Sequence, residues 1–143
     1  MLCDIYNERM PFNRYIGVRV ESLSLEKVCV AIEMREELVG NYGQKILHGG
    51  VISSVIDLTG GIIAQANAWK NLKGLSMSEI AGRLYVMSTM NIRVDYLRPG
   101  GGERFICTGL AVRAGSKVAV TRMELCNDTD DLVAMGTGTY LIG

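Results

Sequence analysis

"KILHGGVISSVIDLTGGIIAQA", residues 45–66, decides how the chain is read. It holds the protein's one histidine, His48, then the pair Gly49 and Gly50, then an apolar run broken by a single carboxylate, Asp57. The run is too long for one strand, which predicts a helix over residues 49–68. At about 100° per residue, Gly50, Ser53, Ser54, Asp57 and Gly61 share one side of that helix, while Val51, Ile52, Val55, Ile56, Ile62 and Ile63 cover the rest. A buried carboxylate must be paired or take up a proton. The narrow polar stripe therefore either faces water or serves a function.

Outward from this helix the chain reads as strands. VRVESLSL and KVCVAIEM, before it, alternate in polarity and carry β-branched residues, which predicts a strand pair joined through SLSLEK. Residues 1–12 fit a short helix or arm ended near Pro11, and REELVGNYGQ is a polar segment. After the helix, NLKGLSMSEIAGRLY carries a Ser-x-Ser-Glu start signal for a loop plus a short helix. Four strand-like runs follow, STMNIRVDYL, RFICTGLAVRA, KVAVTRMELCN and LVAMGTGTYLI, separated by RPGGGE, GS and DTDD. These connections are made of turn formers, so the four runs are expected as an antiparallel meander. The prediction is an α+β fold, one long helix against six strands. One sheet covers only part of so apolar a helix, and sheet curvature or a second subunit must cover the remainder.

At 143 residues, 48% hydrophobic and 21% charged, the chain is long enough to bury a sizeable core and is expected to be one domain over residues 1–143. Fifteen basic and fifteen acidic residues cancel. This argues against nucleic acid or an anionic membrane face as partner. Cys3, Cys29, Cys107 and Cys126 lack metal-site spacing, so no metal is expected, and four free thiols fit a reducing cytoplasm. Residues 51–69 include Asp57, Gln65 and Asn67, which argues against a membrane span, and the N-terminus has no signal-peptide pattern.

Gly49 and Gly50 stand at the expected helix start, where unpaired N–H groups and the positive end of the dipole can polarise a carbonyl oxygen. The segment thus offers an oxyanion-stabilising end and a carboxylate, two parts of acyl-transfer chemistry. Eight residues separate Gly49 from Asp57, roughly 12 Å along the axis at 1.5 Å per residue. If both act on one reacting carbon, they must come from two subunits of a symmetric dimer. A Ser–His–Asp or Cys–His site would have to recruit His48, and no G-x-S-x-G elbow is present.

MPFNRYIGV, VGNYGQKILHGGVISSVID, MNIRVDYLRPGGGERF, RAGSKVAV and TGTYLIG together resemble the hotdog-fold acyl-CoA thioesterases of the PaaI-like branch. Within it the pattern looks most like the medium- and long-chain enzymes. The resemblance covers nearly the whole chain from Met10. It implies a long central helix wrapped by a curved six-stranded antiparallel sheet, assembled as a homodimer or a dimer of dimers. It implies an acyl-CoA substrate and no cofactor beyond the coenzyme A of that substrate. The implied catalytic set is Asp57 as base or nucleophile, the Gly49 amide on the thioester oxygen, Thr89 positioning water, Asn41 orienting substrate or water, and His48 shaping the loop.

Gly50, Ser53 and Ser54 are implied beside the substrate. Arg98, Pro99 and Gly100, with Arg113, Ser116 and Lys117 in the RAGSK hairpin, are implied at the coenzyme A phosphates. A solvated hairpin is the plainer reading of the last three. Methionines between Met77 and Met90 fit either an acyl channel or ordinary core. A hotdog hydratase or dehydratase and a non-catalytic acyl-CoA-binding protein are the competing functions.

Overall fold

The computed structural model describes residues 2–143. Strands β1 (Arg19–Leu23), β2 (Lys27–Glu33), β5 (Ser88–Tyr96), β6 (Arg104–Ala114), β7 (Val118–Asn127) and β8 (Leu132–Leu141) form one sheet in the order β1-β2-β6-β7-β8-β5. Each pairing in it is antiparallel. A small hairpin, β3 (Val39–Asn41) with β4 (Gln44–Leu47), stands apart from it and leads into the central helix.

That helix, α3 (Gly49–Trp69), follows two short ones, α1 (Leu2–Asp4) and α2 (Pro11–Ile16), and precedes α4 (Met77–Tyr85). It is long and apolar enough to cross a membrane by length and composition. Here it is the core helix: it lies against β2, β5, β6, β7 and β8. Val55, Ile56, Ile62 and Ile63 are fully buried there with Val28, Val30, Phe105, Met123 and Leu125. Each such aliphatic side chain contributes about 1.5–3 kcal/mol on burial.

The expected meander holds for β6, β7 and β8 but not for β5. The RPGGGE segment is a crossover, not a hairpin turn: it carries the chain from β5 at one sheet edge to β6, which is inserted between β2 and β7. Turn formers suit either connection. What separates them is burial: β6 alternates buried and half-buried residues through its first half, whereas β5 is largely exposed, as suits an edge. The helical N-terminus also does not stop at Pro11. Proline occupies the first turn of α2, where its missing N–H is not needed. The Ser76 start signal is a capping box, with Ser76 N–H donating to Glu79 Oε2 at 2.8 Å and Glu79 N–H to Ser76 Oγ at 3.4 Å.

The two sheet edges differ. Along β1, the side chain of Asn7 imitates a neighbouring strand, accepting from Val20 N–H at 2.7 Å and donating to Val20 O at 3.2 Å. β5 has β8 on one side and, among the described residues, no strand on the other.

Close approach of helix and sheet requires glycine at Gly60. A Cβ there would meet the Tyr140 hydroxyl, Thr121 Oγ1 at 2.7 Å and Met123 Cε at 2.8 Å. We expect Gly60→Ala to lower stability by about 1–3 kcal/mol through overpacking. Gly82→Ala in α4, where a Cβ meets nothing within 4 Å, should instead raise stability by about 0.5–1 kcal/mol through backbone entropy. Urea denaturation of both variants reads the contrast.

Candidate active site

The start of α3 is built by three contacts. His48 sits at the N-cap in extended conformation, and its Nδ1 accepts from Gly50 N–H at 2.8 Å. His48 N–H donates to Leu38 O at 2.8 Å and Leu47 N–H to Gly100 O at 2.9 Å, which fixes the helix end to the small hairpin and to the crossover. Gly40 lets the hairpin approach, since a Cβ there would lie 2.5 Å from His48 Cα. Tyr96 OH donates to Gly49 O at 3.1 Å. The Gly49 N–H has no acceptor among the described residues. It is a donor at the positive end of a 21-residue helix.

Asp57 is half-buried two turns on, in a depression of about 170 Å³ lined by Tyr6, Asp57, Leu58, Gly61, Met87, Ser88, Thr89 and Tyr140. Thr89 Oγ1 donates to Asp57 Oδ1 at 3.0 Å. Tyr140 OH donates to the Asp57 backbone carbonyl at 2.9 Å. Strand register brings these two hydroxyls together, because Thr89 is paired with Tyr140 across β5 and β8. Directly paired residues point to the same face.

Past Thr89 the register shifts, with Asn91 opposite Thr139. This bulge changes which residues of β5 face the helix. Without it, strict alternation would send Thr89, Asn91 and Arg93 to one face. With it, Thr89 faces the helix while Asn91 and Arg93 are exposed, and Ile92 and Val94 are half-buried against the core. Bulges recur where a functional side chain must be re-aimed.

Three tyrosines of the site were not among the residues singled out in the sequence. Tyr96 and Tyr140 hold the helix backbone at two points along the stripe, Gly49 and Asp57. Tyr6, from the segment before α2, donates to Gln65 Oε1 at 2.7 Å and forms a wall of the Asp57 depression. Burial, with the Asp57 carboxylate adding to it, pushes the Tyr6 hydroxyl up to about 12. The same two causes, burial first, push Tyr140 up as well. Both therefore remain protonated donors at neutral pH. A Tyr six residues from the N-terminus has no spacing relation to the helix, and a Tyr within a strand reads as core.

The other candidates are placed as follows. Ser53 and Ser54 are half-buried on the Asp57 side, and their hydroxyls donate to Gly50 O at 3.1 and 2.7 Å. Asn41 Oδ1 accepts from Gly43 N–H at 3.0 Å, so its side chain shapes the turn between β3 and β4. Arg98 is exposed near the Gly49 end and donates to Leu132 O at 2.8 Å; Pro99 is exposed and Gly100 is buried against Leu47. Arg113, Ser116 and Lys117 are exposed at the β6–β7 turn. Strand β6 separates that turn from Arg98, so within one subunit the two basic groups lie at opposite ends of the sheet.

Tyr6 and Cys107 make high pH destabilising. The Tyr6 hydroxyl ordinarily titrates at 10.0 and in the fold at about 12, so the stability it contributes is complete below pH 10 and is lost as pH rises from 10 through 12. Burial moves the Cys107 thiol the same way, from 9.0 to about 12. The urea midpoint is therefore expected to fall steadily above pH 9, and Tyr6→Phe should make the fall shallower between pH 10 and 12. Equal slopes would show that Tyr6 ionises without cost.

The thioesterase superfamily profile matches residues 44–134, a span that includes His48, Gly49, Asp57 and Thr89. Over 140 residues the chain is 41% identical to the Escherichia coli K12 medium/long-chain acyl-CoA thioesterase YigI, covering 98% of this chain and 90% of that protein. A Shewanella oneidensis crystal structure described as related to the thioesterase superfamily superposes with a TM-score of 0.94 at 41% identity, covering 99% and 93% of the two chains. The E. coli PaaI protein of the phenylacetic acid degradation operon shares the fold, with a TM-score of 0.76 at 19% identity over 95% and 86% of the chains. The long helix on a six-stranded antiparallel sheet is thus the hotdog fold, and the chain belongs to the thioesterase superfamily.

Proposed function

We propose that the protein hydrolyses medium- or long-chain acyl-CoA to free acid and coenzyme A in the cytoplasm, at a site shared between two subunits. The observation that carries this reading is the Thr89 to Asp57 hydrogen bond of 3.0 Å beside an open depression. Because Thr89 donates its one proton to Asp57, its remaining capacity is as an acceptor. A water that donates to Thr89 Oγ1 and to the free side of the carboxylate is held by both protons, with a lone pair turned outward. Asp57 then takes the proton as the water attacks the thioester carbon, and collapse of the adduct breaks the C–S bond, with that proton passing to the departing coenzyme A thiolate; or the carboxylate attacks first, expelling the thiolate as the anhydride forms, and water then hydrolyses the anhydride. Charge developing on the carbonyl oxygen is met by a backbone N–H at a helix start. No cofactor takes part.

The sheet edges favour the two-subunit arrangement. β1 is capped by Asn7, whereas β5 is open, and an open edge is a template for a second strand. A two-fold axis pairing β5 with its copy runs the strands antiparallel. This sets the Tyr96 end of one subunit, with Gly49 held to it, against the Thr89 end of the other. Gly49 of the partner subunit then serves Asp57. The same axis brings Arg98 of the partner subunit towards Arg113 and Lys117, so two basic groups distant in one chain meet around the coenzyme A phosphates.

Gly49→Pro removes the candidate oxyanion donor with little cost to the helix. Proline is favoured at the first helical position, and His48, at φ −60° and ψ 136°, already has the conformation a residue before proline needs. Gly49→Pro and Asp57→Asn should each lower kcat by about 10²-fold or more. Co-refolded in equal amounts, they should recover about a quarter of wild-type activity, since half the dimers are mixed and each restores one of two sites. No recovery in verified mixed dimers would place Gly49 and Asp57 in separate roles.

Arg98→Gln and Lys117→Gln should each raise KM severalfold for acyl-CoA, through the lost charge-assisted bonds. For the corresponding N-acetylcysteamine thioester, which lacks phosphates, KM should be unchanged. Equal effects on both substrates would remove these residues from the phosphate site.

A further inference from the structure

The last two turns of α3 change character. Ile62 and Ile63 give way to Ala64, Ala66 and Ala68, and opposite them stand Ala119 on β7 and Gly115 in the β6–β7 turn. Small side chains on facing elements leave space. A cavity of about 170 Å³ lies here, between the end of α3, α4 and the β6–β7 turn, with Trp69, Leu72, Met87 and Ile142 as its apolar walls and Arg83 and Ser116 among its lining residues. Met87 also lines the depression that holds Asp57 and Thr89. One flexible thioether is thus common to the two spaces. Ala68 and Met87 pack against the same small cluster of Ala64, Ala119, Tyr140 and Ile142, which continues from the Tyr140 that braces Asp57.

We propose that the acyl chain of the substrate passes Met87 and ends in this cavity, with Trp69 as its end wall, so that Ala68, Met87 and Trp69 set the chain length accepted. This rests on the acyl-thioester reading of the Asp57 site. A chain tethered to a carbon at Asp57 must enter a space that adjoins it, and the cavity adjoins the depression at Met87, the flexible side chain that has to swing aside for the chain to pass. The length is suitable: eleven residues from Asp57 to Ala68 span roughly 16 Å along the helix. An extended chain with C–C bonds of about 1.52 Å advances about 1.25 Å per bond along its zigzag, so about a dozen carbons reach about 14 Å, to the part of the cavity that Ala68 lines. A methionine at the junction adapts to chains of different length better than a branched side chain would. On its other side Trp69 borders a separate groove lined by Leu2, Leu23, Leu25 and Lys73, which shares no residue with the Asp57 depression.

Trp69 is the protein's single tryptophan, so its emission reports on the end of the proposed channel without any label. In the full-length wild-type protein, sodium dodecanoate should change Trp69 emission saturably and butanoate should not. Ala68→Leu should weaken the dodecanoate response at least tenfold. The same variant should lower the ratio of kcat/KM for dodecanoyl-CoA over butanoyl-CoA by tenfold or more, while Met87→Ala should shift the preferred chain to greater length. A dodecanoate response that survives Ala68→Leu and is lost in Leu25→Asp would put the chain in the neighbouring groove and overturn the assignment. So would kcat/KM ratios within twofold of wild type in both channel variants, or no Trp69 response at all. Failure of the activity reading looks different: the wild-type protein would hydrolyse no acyl-CoA of any length, yet the dodecanoate response and its loss in Ala68→Leu would remain.

Discussion

The structure depends on one mismatch, between a helix that is apolar over most of its circumference and a single sheet that can cover only one side of it. Burial of Val55, Ile56, Ile62 and Ile63 against β2, β6, β7 and β8 satisfies the inner side. Val51, Ser53, Ser54, Asp57, Leu58 and Gly61 are left half-buried on the other. A globular protein tolerates such a strip if it is used. Here the strip carries a carboxylate, small residues that let a ligand approach, and at its start a free backbone donor. The edge strand β5 completes one side of it without closing it, because among the described residues no strand lies on its outer side.

Much of this was legible in sequence, for a definable reason. Residues whose role is local advertise themselves: the helix start after His48, the Ser76–Glu79 capping box, the tight Gly115–Ser116 turn and the alternation of β6 to β8 all depend on neighbours within a few positions. Asp57 was conspicuous because one acid in an apolar run must have a reason to be there. Thr89 came instead from family likeness, since nothing in STMNIRV marks one hydroxyl over another. What stayed hidden depends on pairing at long range. The position of β5 beside β8 goes with the insertion of β6 between β2 and β7, and RPGGGE reads the same for a hairpin as for a crossover. The bulge after Thr89, and with it the way Thr89 and Tyr96 both face the helix, is a property of register and not of composition.

The tyrosines show the same limit from another side. Tyr6, Tyr96 and Tyr140 come from three parts of the chain and meet only around α3. Each uses its ring as apolar cover and finds for its own hydroxyl an acceptor on α3: Gln65 Oε1, or the Gly49 or Asp57 carbonyl, whose second lone pair is left over from the intrahelical bond. A buried hydroxyl such as that of Tyr140 would be costly without one. Two of the rings also keep the surroundings of Asp57 apolar while bringing no positive charge to it. Among the described residues no ion pair is made by Asp57 either.

Rigid spacing then constrains how such a helix can be used at all. Gly49 and Asp57 occupy one rod at a fixed separation of roughly 12 Å, several times the reach of a hydrogen bond, and no side-chain motion brings the Gly49 amide to Asp57. On the proposed reading a single chain therefore holds two halves of different sites, one at each end of the strip, and two-fold pairing at β5 would complete both, because reversing the strand exchanges the Gly49 end for the Asp57 end. The bulge falls where both ends need it. Thr89 must face inward at one end of β5 to hold Asp57, and Tyr96 must face inward at the other to hold Gly49, although they are seven positions apart and strict alternation puts positions an odd number apart on opposite faces. One extra residue restores both to the same face, so the register shift after Thr89 is the local adjustment that lets one edge strand brace both halves.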